Sequence, residues 1–322
     1  MSIEKLTQAI LDGYAITKEE ALALYDEPLE SLKESALKIG QAFFNDRFEL
    51  CSITNGKSGR CSENCKFCAQ SRAFKTEVEV TNLKSTNTFM EEAQYNATRG
   101  VHRFSIVTSG RRLPKEEVDK VCLAYKAIAD TYNIALCASH GLLDYEDFVK
   151  LKHSGVTRIH NNLETSRNFF KNVCTTHTYD QKIEAIKAAQ KAGLDVCSGG
   201  IIGMGESLED RVDMALDLRE LGIVSVPVNV LNPIKGTPFE HLQRLDDTEI
   251  KKTVAIFRHI LPRSVLRLAG GRILFNDITP DLYDYGINAM ITGDMLTTCG
   301  LSIASDISSV IQKGRSLDII EK

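Results

Sequence analysis

Tyr179-Asp-Gln-Lys-Ile-Glu-Ala-Ile-Lys-Ala-Ala-Gln-Lys-Ala-Gly-Leu-Asp-Val-Cys-Ser-Gly199 decides the fold. Residues 179–192 have the apolar spacing of an amphipathic helix, Gly193 stands where that helix stops, and Leu194 to Gly199 is an apolar run of strand length. Helix, glycine and strand in that order make one unit of an alternating α/β chain with a parallel sheet. The unit recurs. Strands are expected at Phe48 to Thr54, Arg103 to Thr108, Ile134 to Ser139, Arg158 to Leu163, Leu194 to Gly199, Ser225 to Leu231, Val265 to Ala269 and Ala289 to Thr292. Helical patterns at Lys115 to Asp130, Leu208 to Leu221 and Thr248 to Leu261 lie between them, with Gly222 as another helix stop. Eight such strands predict an α/β fold of the (βα)8 TIM-type barrel class, whose chemistry sits at the C-terminal ends of the strands.

Upstream, Thr17 to Phe44 has helical spacing, with Thr17 and Glu20 as a capping box. The expected organisation is an N-terminal helical extension at 1–45, the barrel at 46–300 and a C-terminal helical tail at 301–322. The 322 residues are 43% hydrophobic and 25% charged, the balance of a globular chain. Met1-Ser-Ile-Glu-Lys has no basic region leading into an apolar run, and no 18-residue uncharged stretch follows, so a cytoplasmic protein without a membrane segment is expected. A net charge of -4 gives no footprint for nucleic acid and favours a small-molecule substrate. Nine cysteines in a reducing compartment read as metal ligands or buried apolar residues rather than disulfides.

Cys61-Ser-Glu-Asn-Cys65-Lys-Phe-Cys68 follows the first expected strand, where a barrel carries a catalytic loop. Three thiolates at CxxxCxxC spacing can hold three corners of an iron–sulfur cube, leaving one iron open for a bidentate ligand. The plain alternative is structural zinc, but zinc takes four closed ligands and this loop offers three. Phe67 suits either packing or the edge of an adenine. Further on, Cys197-Ser-Gly-Gly-Ile-Ile-Gly-Met-Gly-Glu206 closes the fifth strand and opens a helix; such a turn serves tight packing or a phosphate equally well.

With these motifs the chain resembles the radical S-adenosylmethionine (SAM) superfamily, in which SAM chelates the open iron of a [4Fe-4S] cluster and is cleaved by one electron. The resemblance makes Cys61, Cys65 and Cys68 the cluster ligands and sets Phe67, Gly199, Ile201, Gly203 and Gly205, with Glu206 in the same motif, against SAM. From about Phe48 to Thr298 the chain resembles the biotin synthase family in particular. The matching strings are Asn161-Asn-Leu-Glu-Thr-Ser166, Thr175-Thr-His-Thr-Tyr179, Val196-Cys-Ser-Gly-Gly-Ile-Ile-Gly203, Val226-Pro-Val-Asn229, Lys235-Gly-Thr-Pro238, Val265-Leu-Arg-Leu-Ala269 and Leu296-Thr-Thr298. This resemblance implies sulfur insertion that converts dethiobiotin to biotin, with SAM consumed and the sulfur taken from an auxiliary cluster. It also implies a flavodoxin or ferredoxin electron donor, iron–sulfur assembly machinery as a partner, and a homodimer.

Carried over residue by residue, the resemblance makes Asn162 and Asn229 binders of SAM and dethiobiotin and gives Glu164 the SAM ribose. His177 stands where the family usually has an arginine for the SAM carboxylate, a contact an imidazole can replace only when protonated. The family's better-known members hold a [2Fe-2S] auxiliary cluster with three cysteines and an arginine; Cys137, Cys197 and Arg267 match, but the remaining cysteine position is Ser105. Cys51, one strand away, is the expected replacement. Cys51, Cys137 and Cys197 from strands one, three and five could then converge on the barrel axis if all face inward. Three thiolates suit a second [4Fe-4S] cube with an open iron better than a two-iron cluster, with [2Fe-2S] as the alternative. Cys51 also reads as a small buried hydrophobe, as do Cys122 and Cys174, while Cys299 is a further candidate ligand. Competing readings are a mutase or maturase of the same superfamily with one cluster, or a metal-stabilised barrel without catalysis.

Overall fold

The structure, a computed structural model, describes residues 1–293, 296 and 300–320. Its strands are β1 (Arg47–Lys57), β2 (Arg103–Thr108), β3 (Ala135–Ser139), β4 (Val156–His160), β5 (Asp195–Cys197), β6 (Gly200–Ile202), β7 (Ser225–Val230), β8 (Val265–Leu268), β9 (Ala289–Ile291) and β10 (Ser316–Leu317). Parallel ladders run β1-β2-β3-β4-β5-β7-β8-β9, and β9 closes on β1. This is the expected (βα)8 barrel. Each crossover is built as the sequence directs. Thr178 and Gln181 form a capping box that starts the helix Tyr179–Lys191. Gly193, at φ +78°, ends it and turns the chain into β5.

Side chains alternate along β1 as a pleated strand requires. Phe48 and Leu50 join the main hydrophobic core, whereas Cys51 and Ile53 face the barrel interior. The fifth barrel strand differs from expectation because it is broken. Between β5 and β6 the Gly199 carbonyl accepts from the Glu164 N–H, and the Glu164 carbonyl accepts from Ile201 N–H at 2.8 Å. A Cβ on Gly199 would stand 2.1 Å from the Pro227 carbonyl oxygen, so only glycine admits this approach.

The two ends of the chain also differ in detail. The N-terminal region is not one helix but Ile3–Leu11, Lys18–Ala23 with the Thr17 capping box, and Leu29–Phe44, interrupted before Pro28. Proline in the body of a helix would remove a donor and clash with the preceding turn. The C-terminal segment begins as the helix Ile303–Gln312 but does not stay helical. β10 pairs with the start of β1, and Ile320 packs with Phe44, Val265 and Ala289 beneath the barrel.

Candidate active site

The strand register arranges the barrel interior in layers. Cys51 pairs with Arg103 and Arg103 with Ala135, two residues short of Cys137. Cys137 pairs with Arg158 and Arg158 with Asp195, two short of Cys197. Cys197 pairs with Ser225 and Ser225 with Val265, two short of Arg267. Arg267 pairs with Ala289 and Ala289 with Glu49, two short of Cys51. Each second strand advances by two residues, and four such steps give the eight-residue stagger of a TIM-type barrel. Cys51, Cys137, Cys197 and Arg267 therefore form one layer of four from alternate strands. The same counting puts Ser105 in the next layer up, with His160, Pro227 and Ile291.

All four members of the cysteine layer line one cavity of about 340 Å³. Phe67 and Cys68 from the cluster loop line it as well, together with Asn162, Glu164, Ile201 and Asn229. The layer below is cationic. Glu49, fully buried one layer further down, is bonded by Arg267, by Arg103 at 2.9 Å and by Arg158 at 3.4 Å, and it accepts the Ile320 N–H at 3.1 Å. Burial alone would raise the Glu49 carboxyl, but the guanidinium groups of Arg267, Arg103 and Arg158 override it and hold the group at about 2. These three guanidiniums outnumber the carboxylates they meet, Glu49 and, 3.9 Å from Arg158, the partly exposed Asp195, and leave an excess of positive charge at the cysteines. Cys137 is drawn down, first by the Cys51 side chain and then, against burial, by Arg103, Arg158 and Arg267. Cys51 is held up by the neighbouring Cys137 side chain and by burial, and burial raises Cys197.

Glu49 escaped the sequence reading, although an acidic residue two positions before an inward cysteine in an apolar strand was a usable signal. Its burial gives a prediction. Glu49→Ala should destabilise the chain by about 3–5 kcal/mol, because it strands buried guanidiniums. The carboxyl is depressed on folding, so its stabilising contribution is fully present above its ordinary value of 4.5 and is lost as pH falls towards about 2. Urea midpoints measured across that window should fall with acid in the unsubstituted chain and respond less in Glu49→Gln.

The cluster loop leaves β1 through Gly59 and Arg60, both at positive φ. Cys61 is tied to the strand of chain that follows by Cys61 N–H to Gln70 O and Arg72 N–H to Cys61 O, each 2.9 Å. Lys66 N–H bonds Val173 O at 2.9 Å, and the Asn64 side chain holds Thr175 and Thr176, so the loop is fastened to residues 173–176. Burial pushes the Cys68 thiol up to about 11. Cys61 and Cys65 do not line the cavity, and all three loop cysteines are half-buried.

At the rim, Asn162 Oδ1 accepts from Gly199 N–H at 3.1 Å and its amide donates to Glu164 at 3.3 Å. Asn229 donates to Gly200 O at 2.9 Å and accepts from Gly270 N–H at 2.8 Å, bridging two strands. Glu164 sits at φ +73°, a strained conformation for a residue with a side chain, in the stretch that bridges to β6. Gly199, Gly203 and Gly205 do not line the cavity. Gly203 and Gly205 supply φ of +94° at the turn, and Glu206 closes it by accepting from Gly203, Met204 and Arg211, each at 2.7 Å. These residues shape the backbone that presents Ile201.

Two expectations need correction. His177 does not line the cavity; it is buried behind the cluster loop with Nδ1 2.6 Å from Glu63 Oε2. Cys174 is buried as expected but is not merely apolar, for its Sγ lies 3.3 Å from the same Nδ1. Cys122 is half-buried on the helix Lys115–Thr131. Cys299, with Thr297 and Thr298, lies outside the described residues.

The donor set suits iron–sulfur clusters. Thiols dominate it, and the polar atoms around the cysteine layer are left over: Ser105 Oγ, Arg267 Nη1 and Arg158 Nε are buried with no hydrogen-bond partner. Buried polar atoms are normally satisfied, so such a collection around three thiols and a cationic floor fits an anionic group.

Residues 57–218 match the family described as the Radical SAM superfamily, and residues 227–316 the Biotin and Thiamin Synthesis associated domain. The biotin synthase of Clostridium botulinum is 53% identical over 312 residues, covering 97% of this chain and 98% of that protein. The chain belongs to the biotin synthase family. Another biotin synthase, from Brachyspira hyodysenteriae, is 51% identical over 321 residues, covering 100% of this chain and 96% of its own. Among solved structures, methylornithine synthase (PylB) superposes with a TM-score of 0.84 at 18% identity, covering 98% of this chain and 97% of that one. The hydrogenase maturase HydG from Carboxydothermus hydrogenoformans gives 0.83 at 19%, covering 99% and 80%. At those identities the likeness is one of fold.

Proposed function

We propose that this chain converts dethiobiotin to biotin as a radical SAM sulfurtransferase. The observation that carries the reading is the single cavity with cluster-loop residues at one end and a layer of Cys51, Cys137, Cys197 and Arg267 at the other. Cys61, Cys65 and Cys68 hold a [4Fe-4S] cluster, and Cys51, Cys137 and Cys197 hold an auxiliary cluster in place of a set that includes Ser105. When bound, the first cluster supplies the electron that cleaves SAM and the second supplies the sulfur of the new ring.

The chain's own residues bind, orient and shield. Asn162 and Glu164 offer polar groups to SAM, and Asn229 offers its remaining amide hydrogen to the substrate. Ile53, Val107, Ile201 and Leu231 wall the cavity with apolar surface and limit water around the reacting carbons. Arg103, Arg158 and Arg267 draw Cys137 toward its thiolate form, with Glu49 fixing the guanidiniums. Three thiolates with Arg267 beside them favour a four-iron auxiliary cluster with one open iron; [2Fe-2S] with Arg267 as fourth ligand is the alternative. Dethiobiotin and SAM as substrates, a flavodoxin or ferredoxin donor, assembly machinery, a homodimer and a cytoplasmic setting accompany this reading. Among the described residues no helix is long and apolar enough to cross a membrane.

Two cubes require about eight irons per chain in anaerobically purified protein, against about six for the alternative. Mössbauer spectra with a [2Fe-2S] component would reject the four-iron assignment. Asn162→Ala and Asn229→Ala should each weaken ligand binding by about 1–3 kcal/mol with iron content retained. Equilibrium binding of SAM and dethiobiotin checks this, and unchanged affinity for both removes the residue from the site.

A further inference from the structure

Behind the cluster loop, Cys174-Thr-Thr-His177 brings together metal-ligating side chains that neither cluster uses. Cys174 Sγ, a ring nitrogen of His177 and Cys65 Sγ all lie within 4.8 Å of one another, and no other such group of three is found among the described residues. Cys174 and His177 are buried and Cys65 is half-buried, so the donors are already gathered and partly dehydrated. Cys174 Sγ stands 3.3 Å from His177 Nδ1. A tetrahedral zinc ion with its usual bond lengths would separate sulfur and nitrogen by about 3.6 Å, so the pair needs to open only slightly. Glu63 Oε2, 2.6 Å from that nitrogen, is the carboxylate nearest to a fourth position. It is fixed in turn by the Thr176 hydroxyl at 2.9 Å.

We propose that Cys65, Cys174 and His177 form a mononuclear site for a thiophilic divalent cation, filled in the chain before its first cluster is in place. Two thiolates and an imidazole suit Zn2+, Fe2+ or Co2+ rather than Mg2+ or Ca2+. Cys65 belongs to this site and to the cluster loop, so the single ion and the cluster exclude one another. An ion held there keeps the loop docked on residues 173–177 and must leave, or be incorporated, when the cluster forms.

The probe is Co2+, titrated anaerobically into the 322-residue chain stripped of iron and followed by thiolate charge-transfer and tetrahedral ligand-field absorption. The expected result is saturation at one equivalent with tetrahedral bands. Cys174→Ala and His177→Ala should each weaken binding at least tenfold, Cys174→Ser should lose one thiolate's share of the charge-transfer intensity, and Cys61→Ala should leave the first equivalent in place. Zn2+ loaded beforehand should slow cluster reconstitution in the unsubstituted chain and not in Cys174→Ala, whose recovery of cluster iron also shows that it folds. Binding lost in Cys61→Ala and Cys68→Ala but kept in Cys174→Ala and His177→Ala would overturn the proposal by placing the ion on the cluster loop, and so would a spectrum without thiolate bands. The measurement reads metal on the cluster-free chain and stands apart from whether that chain makes biotin.

Discussion

Cys61→Ala, Cys65→Ala and Cys68→Ala should each abolish reductive SAM cleavage, with 5'-deoxyadenosine falling to background whether or not dethiobiotin is present. The loop offers three thiolates for a cube that already leaves one iron open, so removing any of them uncovers a second iron or disassembles the cluster. Cys174 lies close to Cys65, which makes Cys65→Ala the variant with a neighbouring thiol, yet the loop's bonds to residues 173–176 fix its path and keep Cys174 behind it. Anaerobic chromatography after dithionite reduction checks the outcome. Any of the three variants forming 5'-deoxyadenosine at the unsubstituted rate refutes the ligand assignment.

Cys51→Ala should separate the two halves of the chemistry. The layer of Cys51, Cys137, Cys197 and Arg267 lies at the opposite end of the cavity from the cluster loop, so SAM cleavage should continue. Sulfur insertion should stop and about half the iron should be lost, because two thiolates cannot hold the auxiliary cube. Ser105→Cys in the Cys51→Ala background is the informative companion. Ser105 occupies the layer above, pairing directly with Ile53 and Cys137, so a thiol there reaches the same space from a different height. Biotin made by Cys51→Ala alone would return Cys51 to the barrel packing.

Much of this was legible in the sequence because local signals and the fold agree. Alternating periods of 3.6 and 2, with Gly193 and Gly222 as helix stops, located the eight barrel strands, the fourth starting two residues too late, and the spacing of Cys61, Cys65 and Cys68 marked a loop that reaches the cavity through Phe67 and Cys68. Strand breaks were harder. Across the interruption at Ser198-Gly199 the backbone of Glu164 bonds Gly199 and Ile201, a contact between residues far apart in the chain. The common layer of Cys51 and Arg267 depends on register around a closed barrel, which no local pattern contains. Glu49 was passed over, and Cys174 was read only as a small buried hydrophobe, for a related reason: each looks ordinary in its own segment and meets its partners on other strands or loops. His177 was assigned to SAM on resemblance, whereas the side chain that meets it is Glu63 of the cluster loop.

The most direct test is anaerobic incubation of the reconstituted chain with SAM, a reductant and dethiobiotin, followed by mass spectrometry of the acid-quenched mixture. The account predicts a product heavier than dethiobiotin by one sulfur and lighter by two hydrogens, co-eluting with biotin and absent from Cys51→Ala. Formation of 5'-deoxyadenosine with dethiobiotin left unchanged would contradict it.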